Sequence, residues 1–245
     1  MKLLFNWAVE EELLQTSPVR KKHAPVYDER AYTILDGDPE RRAADGEVEL
    51  EALLGACGHR PMLWTYVLVL AETGLRCESE ALWLQWEDIE GQFLRVASGR
   101  DGHRTKSGKT RWVPMTPRLR AALKDHERRF RMGVYDGERS PWVFHHPTTR
   151  RHAKAGERIQ RLGRAFELAV KRAGLPATLR QHDLRHRRAT LWLADGHPIA
   201  KVKEAMGHSS VKVTEGYMHL VREHLLQLVE TSGRPDADLL DLVGS

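Results

Sequence analysis

His182-Asp183-Leu184-Arg185-His186 puts two imidazoles, a carboxylate and a guanidinium within five residues. On a helix His182 shares a face with Arg185, three residues on, and with His186, four residues on. Three chemistries fit. Two histidines at this spacing bind zinc in H-E-x-x-H helices, although the acid here is Asp183 and no third ligand is placed. His182 fits equally as a core histidine with its ring satisfied. An imidazole beside a guanidinium is also a clamp for a phosphate, which guanidinium binds through two oxygens at once. Further reactive residues lie on both sides. His208 follows Gly207 at a helix stop, and Tyr217, the only tyrosine beyond His208, comes nine residues later. Upstream, Arg76 closes the run Thr73-Gly74-Leu75-Arg76, and Lys106 and Lys109 share one turn in TKSGKTRWVP.

These side chains need elements to hold them. Apolar periodicity predicts helices over 49–57, 62–73, 78–86, 117–132, 156–173, 183–195, 198–206 and 210–230. Short strands are predicted over 92–97 and 111–115, with Asp101-Gly102 and Ser107-Gly108 as turn signals between them. Gly174, Gly196 and Gly207 stand just past three helices, where a left-handed cap is needed. Pro198 stands at a helix start, where its missing N–H costs nothing. The fold class is therefore mainly α with a small antiparallel β-sheet, an α+β arrangement. Residues 2–15 read as an amphipathic helix that stops at Thr16-Ser17-Pro18, because the residue before a proline avoids helical angles. Residues 18–45 are charged and proline-punctuated, as in a linker. The stretch from Ser232 is acidic and reads as loose.

Composition narrows the class. The chain has 245 residues, 41% hydrophobic and 30% charged. No apolar run approaches the ~18 residues of a membrane span, and the first residues show no signal-peptide pattern. Two cysteines, Cys57 and Cys77, make neither a disulfide framework nor a four-ligand zinc site, which points to a reducing compartment. The net charge is +5, yet residues 100–188 hold 24 Lys and Arg against 8 Asp and Glu. A basic middle of this kind suits a polyanion, with nucleic acid the common case.

TGLR at 73–76, a hairpin lysine, HDLRH at 182–186, GH at 207–208 and a later tyrosine, in this order, resemble the catalytic domain of the tyrosine recombinase (phage-type integrase) family. The phrases LWLQWEDIE and HDLRHRRATLWLADG resemble its two conserved boxes. The resemblance covers residues 47–230 and implies a helical domain with a small sheet, duplex DNA as substrate, and strand cleavage and rejoining without metal or ATP. It implies the catalytic set Arg76, Lys106, His182, Arg185, His208 and Tyr217, with Tyr217 the nucleophile. Glu80 resembles the family acid that buttresses the first arginine. The spacing from Arg76 to Trp86 is one residue longer than usual and leaves Glu78 eligible too, but SEALWLQW aligns Glu80 better.

The chemistry of the residues suits these roles. Attack on a phosphodiester adds negative charge to the phosphoryl oxygens, and preplaced cations stabilise that charge. Arg76 and Arg185 stay charged and bind two oxygens in a plane. His182 and His208 can donate hydrogen bonds or move a proton near neutral pH. Tyr217 has a free pKa of ~10 and needs a base, for which His182 is the candidate. Lys106 on a hairpin tip can supply an acid to the leaving 5′-oxygen. A 3′-phosphotyrosyl link keeps the bond energy, so rejoining needs no cofactor. His145, His146 and His152 read as surface or DNA-backbone contacts.

Family members usually carry an upstream core-binding domain. Residues 1–46 are expected to be the last helix of such a domain plus a linker, residues 47–231 the catalytic domain and 232–245 a loose acidic tail. The expectation is an N-terminally truncated, phage- or mobile-element-type integrase with intact chemistry, weak DNA affinity, a cytoplasmic location and a tetrameric synapse on DNA. No small-molecule ligand or membrane is expected. The alternatives are a silent DNA-binding remnant, strand nicking and rejoining of the type IB topoisomerase kind, and a zinc hydrolase built on His182 and His186.

Overall fold

The computed structural model describes residues 7, 9, 11–16, 48–100, 102–135 and 137–218. The chain divides into two units, residues 1–32 and 33–245. In the first, residues 11–16 form turns and bends. Of the expected opening helix, Trp7 and Val9 are helical and residues 11–15 are not; its other residues, the linker and the expected tail lie outside the described residues, apart from Thr16.

The second unit is built on α1 (Glu49–Cys57) and α2 (Pro61–Thr73). Proline sits at the start of α2, and Gly74 ends it in the left-handed region at φ 64°. Between them Tyr66 to Ala71 are wholly buried. A helix apolar on every side belongs inside a core, and α2 is packed by α1, α3 (Pro117–Phe130), α4 (Gly163–Arg172) and α5 (Gln181–Ala194). Thr116 caps α3 by accepting the Leu119 N–H at 3.1 Å, which satisfies one of the orphan donors of a helix start. The chain then runs through α6 (Ile199–Met206) and the short α7 (Val211–Glu215).

β1 (Ile89–Glu90), β2 (Phe93–Val96) and β3 (Arg111–Pro114) form an antiparallel sheet in sequence order. Leu94 faces Val113 across it, and Val96 faces Arg111. Side chains alternate between faces along a strand, so Arg111 and Val113 point inward while Trp112 and Pro114 point out. A second, two-stranded sheet pairs β4 (Val134–Tyr135) with β5 (Glu138–Arg139).

Three expected helices differ. Residues 78–86 form short 3₁₀ turns at Ala81–Trp83 and Trp86–Asp88. Carboxylates compete with the backbone there, as Glu80 accepts the Arg76 N–H at 2.9 Å and Asp88 accepts the Gln85 N–H at 2.9 Å. Residues 156–162 are not helical, because Glu157 and Ile159 bond to the backbone of His146 and Phe144 at 2.9 Å each. In 210–230, only α7 is a described helix; Gly216 and Tyr217 lie in a turn, and residues past Met218 lie outside the described set.

Apolar side chains gather in two clusters. The main core runs from Leu50 to Leu184. A smaller one joins Ala189, Leu193, Val202, Met206 and Tyr217.

Candidate active site

α5 carries HDLRH in its first turns. Asp183 fixes its start by accepting the Arg180 N–H at 2.8 Å, a capping box in which the acid also complements the helix dipole. From there Asp183 to Thr190 are all buried, five charged or titratable side chains among them. Burying charge is costly unless each group finds partners. For Arg185 and Arg188 the partners are helix ends.

The last carbonyls of a helix have no intrahelical donor and carry the negative end of its dipole. At the end of α6, Lys203 and Glu204 carbonyls accept the His208 and Gly207 N–H groups at 3.1 and 3.0 Å, the closed form allowed by Gly207 at φ 66°. The next three carbonyls each take one guanidinium. Arg111 Nε donates to Ala205 O at 2.8 Å, Arg185 Nη2 to Met206 O at 2.5 Å, and Arg76 Nη2 to Gly207 O at 3.3 Å. The end of α2 is served the same way. Arg188 Nε donates to Ala71 O at 2.8 Å and Arg185 Nη1 to Gly74 O at 2.5 Å. Arg188 also pairs with Glu72 at 3.0 Å. Arg185 thus bridges two glycine-closed helix ends and is only 2% exposed. Burial, then the nearby Arg76, lowers its pKa to about 10, so it stays charged.

Glu80 is the carboxylate among these cations. Its oxygens meet Arg76 Nη1 at 2.5 Å and the two Arg111 Nη atoms at 3.0 and 2.7 Å. Burial alone would raise its pKa. Hydrogen bonds and charge from Arg111, with the Arg76 N–H and charge, outweigh burial and hold it at about 2. Glu78 is exposed instead. Arg111 is the member the sequence reading missed. Its signal was an arginine at an inward position of a strand, sharing a face with the core residue Val113.

On the next segment His208 Nδ1 lies 2.9 Å from Thr214 Oγ1. Its ring is parallel to Tyr217, with centroids 5.8 Å apart and 6° between planes. Tyr217 is also 5.4 Å from the ring of His186, which is 4.9 Å from His182. Tyr217 is buried and His182 is exposed. Desolvation, then Arg185 and Arg76, brings His208 to about 3. Desolvation and Arg185 also lower His182 below 6.5. His208 is therefore neutral at pH 7.

The structure therefore brings Arg76, Glu80, Arg185, His208 and Tyr217 together, with His182 one turn before Arg185 on α5. Lys106 and Lys109 are both exposed on the β2–β3 loop; among the described residues neither has a hydrogen bond or ion pair to the cluster. The loop's base is anchored by His103, which stacks on Trp83 at 3.8 Å and donates to Ser79 O at 2.7 Å. His145 is not a surface residue. It is fully buried, donates Nδ1–H to Trp142 O at 2.8 Å and accepts from Tyr135 Oη at 3.1 Å. His146 is half-buried and His152 exposed. His146, Arg60, Arg150, Arg161 and Arg164 line an open groove of about 760 Å³, with Glu78 its acidic member. Among the described residues no three His, Cys, Asp or Glu side chains are grouped to hold a metal ion, so the His182–His186 pair gains no third ligand of these types. No helix among them is long and apolar enough to cross a membrane.

Chemically, the arrangement is a cluster of guanidiniums with one buried carboxylate, imidazoles and a phenol, groups of the kind that can stabilise an oxyanion. Residues 47–224 match the model of the Phage integrase family. The chain is 34% identical over 166 residues to the tyrosine recombinase XerA of Pyrococcus furiosus, covering 67% of this chain and 52% of that one. It is 28% identical over 232 residues to the tyrosine recombinase XerC of Xanthomonas campestris, covering 93% and 64%. The chain thus spans half to two thirds of these relatives. The crystal structure of XerA recombinase superposes with a TM-score of 0.61 at 26% identity, over 81% of this chain and 66% of that one. The Tn1549 transposon integrase, in complex with transposon right end DNA, has the same fold at 18% identity and a TM-score of 0.65, over 93% and 76%.

Proposed function

This chain belongs to the phage integrase family, and on that footing we propose that it cuts and rejoins duplex DNA at a specific site through Tyr217. The observation that carries the reading is the gathering of Arg76 and Arg185 on the carbonyls that end α6, two residues or fewer from His208 and within one small cluster of Tyr217. A guanidinium has five N–H donors. Arg76 and Arg185 spend two side-chain donors each on the protein contacts described and keep others for a phosphate.

In the proposed reaction the Tyr217 oxygen forms a bond to phosphorus and the bond to the 5′-oxygen breaks, leaving a 3′-phosphotyrosyl link. His182, neutral and exposed, takes the phenol proton. Arg76, Arg185 and His208 hold the phosphoryl oxygens as charge builds on them. Lys106 gives a proton to the leaving oxygen, which requires its loop to close over the DNA. Arg185 and Tyr217 are 2% and 6% exposed, so the scissile phosphate reaches them as the Tyr217 segment swings outward. The basic groove at Arg150 and Arg161 takes the flanking backbone. The same proposal covers residues 47–231 as catalytic domain, a tetrameric synapse, a mobile-element origin and a cytoplasmic setting.

The test is covalent trapping. The protein is incubated with nicked duplexes drawn from DNA flanking its gene, in chelator, then denatured. A protein–DNA adduct formed by the native chain and absent in Tyr217→Phe is expected. An adduct that persists in Tyr217→Phe would remove Tyr217 from the role. DNA binding with no adduct from the native chain would favour a silent DNA-binding remnant.

A further inference from the structure

Arg111 enters at the start of β3, the strand that follows the Lys106 loop, and the residue is 8% exposed. Three donors are committed. Both Nη atoms grip the two oxygens of Glu80 at 3.0 and 2.7 Å, and Nε holds Ala205 O at 2.8 Å. Glu80 in turn holds the backbone N–H of Arg76 at 2.9 Å and its Nη1 at 2.5 Å. Ala205 is two residues before Gly207, whose carbonyl takes Arg76 Nη2, and three before His208. A second observation is independent of these bonds. A Cβ on Gly207 would lie 2.8 Å from Arg111 Cζ and Nη1. The bend that presents His208 is thus packed directly against the Arg111 guanidinium and has room for no larger residue.

We propose that Arg111 is a positioning residue: its planar fork sets Arg76, through Glu80, and His208, through the end of α6, at one fixed separation, and ties both to the strand that carries the Lys106 loop. This rests on the phosphate-binding reading of the site. Lysine cannot replace it, because a single ammonium has no rigid fork to span a carboxylate and a carbonyl together.

The test compares Arg111→Lys with Arg118→Lys, a control whose side chain pairs with Glu51 on the surface. Adduct formation is followed in single turnover at saturating nicked duplex. The scissile phosphate is used in its natural form and with one non-bridging oxygen replaced by sulfur. Arg111→Lys is expected to slow the natural substrate at least tenfold, to change DNA affinity less than threefold, and to shrink the sulfur penalty towards one, because Arg76 no longer meets its oxygen. Arg118→Lys keeps native values. A slowed variant with the full native sulfur penalty would mean Arg111 is merely structural and would overturn the proposal. Should Arg111→Lys fail to fold, Gly207→Ala, which presses on the same guanidinium, is expected to show the same loss of the sulfur penalty.

A readout without DNA separates this from the reaction itself. The His208 ring-proton resonance is expected to move in Arg111→Lys and to hold in Arg118→Lys. An unmoved His208 resonance overturns the proposal even where adducts form. A native chain that forms no adduct sinks the recombinase reading, while the resonance still decides whether Arg111 sets His208.

Discussion

Glu80 offers two oxygens to two guanidiniums, with a third, Arg185, close enough to feel its charge. Removing one partner of a buried ion pair costs ~3–5 kcal/mol, because the charge left behind is uncompensated. Glu80→Gln is expected to lose stability in that range by urea unfolding, with the slope against urea unchanged. The pH dependence follows from direction. The native pKa of about 2 lies below the ordinary carboxylate value of 4.5, so the native chain binds fewer protons than the unfolded one between those values. The Glu80 contribution is whole above pH 4.5 and is lost as pH falls towards 2; in Glu80→Gln that acid-limb slope should be absent. Arg76, His182, Arg185, His208 and Tyr217 stood out as candidates through their order along the chain, each of a type that suits phosphate chemistry. Arg111 was not, because its work is done on another side chain and nothing in its neighbours RWVP hints at Glu80, thirty-one residues earlier. His145 misled for the converse reason: neighbouring arginines and His146 suggest a surface, whereas its ring is spent on Trp142 and Tyr135.

Helix ends are the devices that make an arginine-rich interior tolerable. Gly91 and Gly207 both have positive φ, at 56° and 66°. Nothing lies within 4 Å of a Cβ built at Gly91, whereas one at Gly207 meets Arg111. A left-handed residue with a Cβ costs ~1–2 kcal/mol on its own. Gly91→Ala should therefore lose about that much by thermal unfolding. Gly207→Ala should lose clearly more, the excess being the displaced guanidinium. The sequence showed Gly207 as a stop and placed α1, α2, α3, α6, β2 and β3 closely. It overran at 78–86 and 156–162, where apolar periodicity continued but carboxylate–backbone bonds and pairing with residues 144–146 took the chain elsewhere. The two-stranded sheet at β4 and β5 was missed because strands of two residues carry no period.

Across the whole molecule, histidines set the acid limit. Burial foremost lowers His126 to about 4 and His186 and His208 to about 3, from 6.5. The unfolded chain takes up protons below pH 6.5 that the native chain refuses, so this contribution is full above 6.5 and is lost as pH falls from 6.5 towards 3. The melting temperature should fall across that window, and less steeply in His126→Gln. Arg150, Arg161 and Arg164 from the basic middle of the chain line one groove, and there the proposed DNA contacts are testable. Arg150→Ala and Arg161→Ala should each flatten the slope of log affinity against log salt by about 1. A long-range property of this kind was legible as charge in the sequence. Which arginines face the groove and which are buried on helix ends was not.

Tyr217 packs in the small cluster with Ala189, Leu193, Val202 and Met206, apart from the apolar mass around α2. Opening free energy follows the local apolar contacts that must be broken. The Tyr217 segment is therefore expected to open more readily than the molecule unfolds as a whole. Amide exchange in α6 and α7 should run ahead of exchange in α2. In the proposed reaction, the partition between the two clusters makes readiness to react a local, adjustable quantity, while the rest of the fold stays in place.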